Sequence, residues 1–293
     1  MQIQTIINNL SSFMNFKTFL ILCFFFSTYK IGLSQELILY KEVDTTQLFM
    51  EVIYPENLEN NKEYPALVFF FGGGWVGGSR QQFAPQAAYF AKRGIVCFLV
   101  DYRVKNIHQT SPFESLKDAK SAIRYVRTHA SDFQIDPHKI IAAGGSAGGH
   151  LAAATALSPG FDEGTDALDV STVPNALILF NPVIDNGPGG YGFERIGEAY
   201  TQFSPLHNIK TGAPPTLFML GTKDRLIPVI TAEYYKMVME KVGSRCDLKL
   251  YEDQPHGFFN YSSFENYKKT LQASDEFLQS LGYLKADPVI EIK

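Results

Sequence analysis

The chain has 293 residues, of which 45% are hydrophobic and 19% charged, and its formal net charge at pH 7 is −4. This composition is typical of a globular protein, and the length suits one large α/β domain rather than a disordered chain. The mild acidity, without a cluster of Lys and Arg, argues against a nucleic-acid partner, because binding to phosphates requires concentrated positive charge.

The first 34 residues have the pattern of a signal peptide. A short positively charged start precedes an apolar core at residues 18–26, and residues 32–35 include small side chains suited to cleavage. The core is shorter than the roughly 20 residues of a membrane-spanning helix. We therefore expect residues 1–34 to be removed, with Met14 as an alternative start, and residues 35–293 to form a single domain. The mature protein is then secreted or periplasmic without stable membrane insertion; a retained anchor is the alternative.

Alternating strands and helices predict a mostly parallel sheet. Two leading segments, near residues 37–40 and 48–54, alternate in polarity and are expected to pair as antiparallel strands at one edge. Six further strands follow, separated by helical stretches in the βαβ rhythm of a doubly wound sheet, and the last of them alternates in polarity like a strand near the sheet edge. They begin near Ala66, Ile95, Lys139, Ala176, Thr216 and Asp247. The expected fold class is therefore α/β, an eight-stranded, mostly parallel sheet flanked by helices.

The strongest chemical signal lies in residues 140–151, where an apolar strand passes through Gly-x-Ser-x-Gly directly into an Ala-rich helix. This is the pattern of a nucleophile elbow, in which two glycines, Gly144 and Gly148, let strand and helix approach while the hydroxyl of Ser146 stands clear. The amides at the start of the helix face the position where negative charge develops. Similar turns also hold phosphates or only allow close packing, so the pattern alone leaves these readings open.

Three other segments end at the same predicted edge of the sheet. The buried strand at residues 65–71 continues into Gly-Gly-Gly-Trp at residues 72–75, which can turn its amides toward a ligand. Downstream, Asp224 follows the strand at residues 216–221, and His256 lies in a loop before the last helix. The chain order Ser, Asp, His, with a glycine loop upstream, is that of an α/β-hydrolase.

Together these motifs resemble the α/β-hydrolase esterases of the hormone-sensitive-lipase-like and acetyl-xylan-esterase-like (carbohydrate esterase) group, over about residues 40–281. The resemblance rests on Gly72-Gly73-Gly74-Trp75, Asp101-Tyr102-Arg103, Gly144-Gly145-Ser146-Ala147-Gly148, Asp224 and His256-Gly257-Phe258. It implies the α/β-hydrolase fold, a catalytic triad and an oxyanion hole. The implied roles are Ser146 as nucleophile, His256 as general base, Asp224 as the acid that orients it, and the amides of Gly73, Gly74 and Ala147 as the oxyanion hole.

Two points at this site stay open in the sequence. The family usually has His before the three glycines, where this chain has Phe71, which leaves the geometry of the loop and the substrate preference undetermined. Asp253, three residues before His256, is an alternative acid; we favour Asp224 because Asp253 would have to fold back to reach the ring. The other histidines, including His150 on the helix after Ser146, have the contexts of surface or packing residues.

Nothing in the sequence indicates a metal or a cofactor. Cys97 and Cys246 lie in or beside predicted strands and are expected to be free thiols, and no His, Cys or Asp pattern has the spacing of a zinc site. The expected chemistry therefore uses neither.

The substrate is indicated less directly. Residues 158–211 form a long irregular stretch whose Gly-rich part, residues 185–191, is either a small lid or substrate wall, or a plain surface turn. Trp75, Tyr191 and Phe258 are candidate substrate contacts, with the core as the alternative position for each. Export, an open site and the resemblance together favour an acetyl or feruloyl ester on a polysaccharide such as xylan. The alternatives are a general short-chain carboxylesterase, a formamidase-type amidase, and a non-catalytic binding module on the same scaffold.

Overall fold

The computed structural model describes residues 35–286, which form an eight-stranded sheet flanked by helices. The predicted signal peptide, with its alternative start, lies outside the described residues. Within the described range, no helix is both long enough and apolar enough to cross a membrane.

The strands and helices alternate along the chain as predicted. The strands are β1 (Gln35–Val43), β2 (Thr46–Ile53), β3 (Tyr64–Phe70), β4 (Val96–Val100), β5 (Ile135–Gly145), β6 (Ala176–Phe180), β7 (Thr216–Gly221) and β8 (Cys246–Tyr251). The helices are α1 (Ala84–Lys92), α2 (Lys105–His108), α3 (Pro112–Thr128), α4 (Ala147–Leu157), α5 (Phe193–Ile196), α6 (Tyr200–Phe203), α7 (Val229–Lys241) and α8 (Phe264–Ser280). Short 3-10 helices occupy Arg80–Phe83, Gly197–Ala199 and Pro205–Asn208.

The strand order across the sheet is β1-β2-β4-β3-β5-β6-β7-β8. The pairs β1–β2 and β2–β4 are antiparallel, and all the other neighbours run parallel. The predicted antiparallel edge and the mostly parallel sheet are therefore confirmed.

Both faces of the sheet are covered by helices, and strand β3 shows how. Val68 and Phe70 point into the core that includes α3, α4 and α7, whereas Leu67 and Phe69 point into the core that includes α1 and α8. All four side chains are buried. A strand covered on both faces needs an uninterrupted apolar sequence, which is why this one was predictable.

A buried carboxylate ties helix α3 to the sheet. Asp118, fully buried, accepts hydrogen bonds from Lys41 Nζ at 2.7 Å and from Arg103 Nε at 2.8 Å. Arg103 also donates its backbone N–H to this carboxylate at 2.9 Å. The guanidinium that follows strand β4 therefore anchors a loop to α3.

The stretch between α4 and β7 is more ordered than its sequence indicates. Besides strand β6, it contains two short helices and two 3-10 turns, held by buried side chains such as Ile196 and Phe203. Its Gly-rich part is also packed: Asn186 is fully buried and donates its Nδ2 to the carbonyl of Tyr191 at 2.8 Å. A plain surface turn is therefore the wrong description of this segment.

Candidate active site

The site forms where parallel strands end along one edge of the sheet. Strands β3, β5, β6 and β7 are successive parallel neighbours, so their carboxyl ends share that edge. The residues that follow these four ends are Phe71, Ser146, Asn181 and Thr222.

Ser146 occupies a strained turn between β5 and α4. Its backbone has φ 53° and ψ −119°, a conformation that costs a non-glycine residue roughly 1–3 kcal/mol. Glycine is required at two neighbouring positions because backbone atoms of other residues lie too close for a side chain. A Cβ on Gly148 would lie 2.1 Å from the carbonyl oxygen of Phe70, and a Cβ on Gly144 would lie 2.3 Å from that of Gly148. The turn thus presents the Ser146 hydroxyl at the edge of the sheet.

His256 connects Ser146 to a buried carboxylate. Its Nε2 lies 2.9 Å from Ser146 Oγ, and its Nδ1 lies 2.7 Å from Asp224 Oδ2. Because a carboxylate only accepts, Nδ1–H donates to Asp224 and the lone pair of Nε2 faces the serine hydroxyl. This is the arrangement in which an imidazole can take the serine proton.

Backbone N–H groups fix the carboxylate of Asp224. Its side chain is fully buried, and its Oδ1 accepts the N–H groups of Leu226 at 2.8 Å and Ile227 at 3.0 Å. Asp253, the alternative acid, is exposed and pairs with Lys223 Nζ at 2.7 Å. The structure therefore brings Asp224, and not Asp253, to the histidine ring.

The glycine loop after β3 carries unpaired amides. Among the described residues, the N–H groups of Gly73 and Gly74 donate to no protein acceptor. Their φ values of 133° and 63° belong to conformations that glycine adopts readily. Ala147 opens helix α4, where an N–H has no acceptor within the helix. These three amides are thus available to a ligand.

Phe71 braces the glycine loop against the segment after β4. Its ring stacks on Tyr102 with centroids 4.1 Å apart, and its carbonyl oxygen accepts the Tyr102 hydroxyl at 2.7 Å. On the other side of the loop, Arg195 Nη1 donates to the carbonyl of Gly74 at 2.7 Å. The loop is therefore fixed from two directions without a histidine at position 71.

Two of the three candidate substrate contacts lie in the core. Trp75 is 1% exposed and packs against His150 and Phe203, and Phe258 is 2% exposed and packs on Tyr251. The assignment of these two rings as substrate contacts is therefore corrected: each lies next to a motif in sequence, but tertiary packing buries it.

Tyr191, the third candidate, is half-buried, and its hydroxyl would lie 2.7 Å from a Cβ built on Gly74. The Gly-rich segment therefore contacts the glycine loop, and its role as a substrate wall stays a prediction.

The other histidine and the two cysteines singled out by the sequence have packing roles. His150 is fully buried, stacks on Phe203 with centroids 4.2 Å apart, and its pKa is lowered to about 3 by burial. Cys97 and Cys246 are buried free thiols, and burial raises the pKa of both. Within residues 35–286, no group of three or more His, Cys, Asp or Glu side chains is placed to hold a metal ion.

Three amide side chains at the site were not expected from the sequence. Asn181 follows the apolar strand β6, a position that could have marked it as a rim residue. Gln82 and Asn260 carry no such signal, because they reach the site only through contacts between distant segments.

Comparison with known proteins agrees with this architecture. The family model described as BD-FAE matches residues 50–186, and the model of the dienelactone hydrolase family matches residues 181–285. The structure of esterase 2 from Thermogutta terrifontis in its apo form is 42% identical, covers 86% of this chain and 96% of its own, and has a TM-score of 0.82. The chain belongs to the α/β-hydrolase esterases.

Individual relatives are similar over much of the chain. The acetylxylan esterase of Xylanibacter ruminicola is 29% identical over 250 residues, which is 79% of this chain and 49% of that protein. Esterase LipC of Mycobacterium tuberculosis is 32% identical over 196 residues, 59% of this chain and 48% of that protein. The chain thus spans about half the length of these curated relatives. It spans 98% of esterase 2 in the structure with butyrate bound, at 40% identity and a TM-score of 0.83.

Proposed function

We propose that this protein is a serine carboxylic-ester hydrolase that works through Ser146, His256 and Asp224. The observation that carries the proposal is the continuous contact from Ser146 Oγ to His256 Nε2, 2.9 Å, and from His256 Nδ1 to Asp224, 2.7 Å. This alignment and the strained backbone of Ser146 favour a reacting hydroxyl over a binding module.

In the first step, Ser146 Oγ attacks the ester carbonyl carbon while His256 Nε2 takes the hydroxyl proton. Asp224 holds the ring and stabilises the imidazolium that forms. The carbonyl oxygen gains negative charge, which the amides of Gly73, Gly74 and Ala147 receive. As the intermediate collapses, the C–O bond to the alcohol breaks and His256 returns the proton to the leaving oxygen.

In the second step, water cleaves the acyl-enzyme. His256 takes a proton from the water as its oxygen attacks the acyl carbon, and the same amides receive the oxyanion. Collapse of this second intermediate returns the proton to Ser146 Oγ and releases the carboxylic acid. The cycle needs no metal or cofactor.

For the substrate, we propose an acetyl or feruloyl ester on a polysaccharide such as xylan. Support comes from the similarity to an acetylxylan esterase and from the predicted signal peptide, because an exported enzyme meets polymers outside the cell. We propose accordingly that the mature protein is secreted or periplasmic.

A second candidate is a general short-chain carboxylesterase. It is favoured by the 40% identity to esterase 2 of Thermogutta terrifontis, whose structures include propionate-bound and butyrate-bound forms. The two candidates share the triad and differ in the alcohol that leaves.

The deciding experiment measures acetate release from acetylated xylan and p-nitrophenol release from p-nitrophenyl acetate, propionate and butyrate. Ser146→Ala is the control for both. Release of acetate from xylan, lost in Ser146→Ala, supports the polysaccharide substrate. Turnover of the p-nitrophenyl esters alone supports the short-chain carboxylesterase, and turnover that persists in Ser146→Ala contradicts both.

A further inference from the structure

A chain of hydrogen bonds through uncharged amides runs between the glycine loop and the loop of His256. The N–H of Gly72 donates to Gln82 Oε1 at 2.6 Å, and Gln82 Nε2 donates to Asn260 Oδ1 at 2.9 Å. Asn260 Nδ2 in turn donates to the carbonyl of Gly257 at 2.8 Å. Gln82 and Asn260 are 178 residues apart in sequence, and this contact joins two segments that each carry part of the proposed site. We name the hydrogen bonds from Gly72 through Gln82 and Asn260 to Gly257 the amide bridge.

Asn181 continues the chain on the other side of Gly257. Its Oδ1 accepts the N–H of Gly257 at 3.0 Å, and its Nδ2 lies 3.3 Å from His256 Nε2. Asn181 is fully buried and directly follows strand β6. Both backbone groups of the residue after His256 are therefore held by side-chain amides.

The backbone fixes the orientation of every amide in this chain. An N–H can only donate, so Gln82 Oε1 must face Gly72 and Asn181 Oδ1 must face Gly257. The carbonyl of Gly257 can only accept, so Asn260 must present its NH2 group to it. As a consequence, Asn181 Nδ2 faces His256 Nε2 at 3.3 Å, whereas Ser146 Oγ lies at 2.9 Å, so the single lone pair of Nε2 stays directed at the serine hydroxyl.

We propose that Gln82 and Asn260 are positioning residues for the esterase reaction, with Asn181 as the support of His256. This inference rests on the proposed function. The amide bridge holds the glycine loop and the histidine loop at a fixed separation, so that the oxyanion amides and the base act on the same carbonyl group. Gly72 lies against the nucleophile: a Cβ built on it would be 3.4 Å from Ser146 Cβ and 3.5 Å from Gln82 Oε1.

The bridge should affect the transition state more than substrate binding. The oxyanion amides are needed where charge develops, and a misplacement of about 1 Å in such a group can reduce the rate about 100-fold. A ground-state ester interacts with them only weakly. Loss of the bridge is therefore expected to lower kcat and to leave KM nearly unchanged.

The test uses Gln82→Met and Asn260→Leu, singly and together, in the full chain. Met has nearly the length of Gln but neither donates nor accepts in this way, and Leu has nearly the shape of Asn. Gln81→Met is the matched control, because Gln81 is the exposed neighbour on the same 3-10 helix and donates to Glu51 at 2.5 Å. Activity is measured with p-nitrophenyl acetate, and the midpoint of thermal unfolding is recorded for every variant.

The expected result is a fall of about 10-fold to 100-fold in kcat for each single variant, with KM within about twofold. The double variant should lose no more than the worse single variant, because both substitutions break one bridge. Gln81→Met should match the wild type. Losses that multiply in the double variant, or a change confined to KM, would overturn the proposal.

A second measurement does not depend on activity. Labelling with [15N]glycine makes the amide of Gly72 observable, and its hydrogen exchange should accelerate in Gln82→Met but not in Gln81→Met. Unchanged exchange would show that the bridge is not formed in solution. Faster exchange with unchanged kcat would show that the bridge is a structural contact and does not position the catalytic groups. A wild type without ester hydrolysis would refute the proposed function itself, whatever the exchange of Gly72, and the positioning role with it.

Discussion

Asp224 and Asp253 lie on the neighbouring turns that follow β7 and β8, yet their surroundings differ completely. The Asp224 carboxylate is fully buried and accepts two backbone N–H groups besides the histidine ring. Asp253 is 64% exposed at its side chain and pairs with the equally exposed Lys223. Only a buried carboxylate with fixed acceptor directions can hold an imidazole in one tautomer and one orientation.

Asp224→Asn should lower kcat for a short-chain ester about 10⁴-fold, because the amide favours the wrong tautomer of His256. Asp253→Asn is the control and should retain wild-type kcat. Steady-state kinetics of both purified variants checks this, together with circular dichroism to establish that they fold. A harmless Asp224→Asn beside a damaging Asp253→Asn would reverse the assignment of the acid.

His150 should make the protein less stable in acid. Burial lowers its pKa from 6.5 to about 3 in the folded state, so between these values the unfolded chain binds a proton that the folded chain does not. The free energy of unfolding therefore falls as pH falls through this window, by up to about 1.4 kcal/mol per pH unit from this residue. The stabilisation from a neutral His150 is fully present above pH 6.5.

Urea unfolding between pH 7 and pH 4 tests this with His150→Gln, which keeps a donor for the carbonyl of Phe203. In this variant, the slope of the unfolding free energy against pH should decrease by up to the value for one bound proton, about 1.4 kcal/mol per pH unit. His138→Gln, at an exposed position, serves as the control for a histidine substitution outside the core. Equal slopes in all three proteins would mean that His150 does not resist protonation.

At the scale of elements, some strands could be predicted from the local sequence pattern, whereas the shortest helices depend on tertiary contacts. Strands β3, β4, β6 and β7 were predictable because burial on both faces imposes an apolar run, whereas the edge strand β8 showed only an alternating pattern. Helices α5 and α6 were not predictable, because four residues are too few to show a helical period and their stability depends on contacts of Ile196 and Phe203 with other parts of the core. Strand β1 extends beyond its apolar residues because backbone pairing with β2 continues from Gln35 to Val43.

Asp118 is the buried carboxylate of α3 that pairs with Lys41 on β1, which also donates to Ser121 on the same helix at 2.9 Å. Asp118→Asn should lower the free energy of unfolding by about 3 kcal/mol, because it leaves Lys41 and Arg103 buried with less negative charge between them. Asp253→Asn removes an exposed ion pair and should change it by less than about 1 kcal/mol. Urea denaturation of the two variants provides the comparison. A loss in Asp118→Asn no larger than that in Asp253→Asn would contradict this role.

At the scale of the whole molecule, the sequence predicts which residues lie at the carboxyl edge of the sheet. It does not predict the side-chain contacts between distant segments at that edge. Chain order and strand ends predicted that Ser146, Asp224 and His256 meet, since carboxyl ends of parallel strands share an edge. The amide bridge could not be predicted, because its two side chains are 178 residues apart in sequence and neither Gln82 nor Asn260 belongs to a recognised motif. The sequence left both substrate contact and core open for Trp75 and Phe258, because nearness to a motif in sequence says little about exposure.

The central claim, that Ser146 is the nucleophile activated by His256, can be tested by covalent labelling with paraoxon. Ser146 Oγ would displace p-nitrophenoxide from phosphorus, as in an acyl transfer but without rapid hydrolysis; esterase 2 of Thermogutta terrifontis has been solved phosphorylated by this reagent. Mass spectrometry of the digested protein should find one diethylphosphoryl group per chain, on Ser146, with loss of esterase turnover. Ser146→Ala should show neither label nor turnover. Wild-type turnover in Ser146→Ala, or a label on another residue that abolishes activity, would contradict the account.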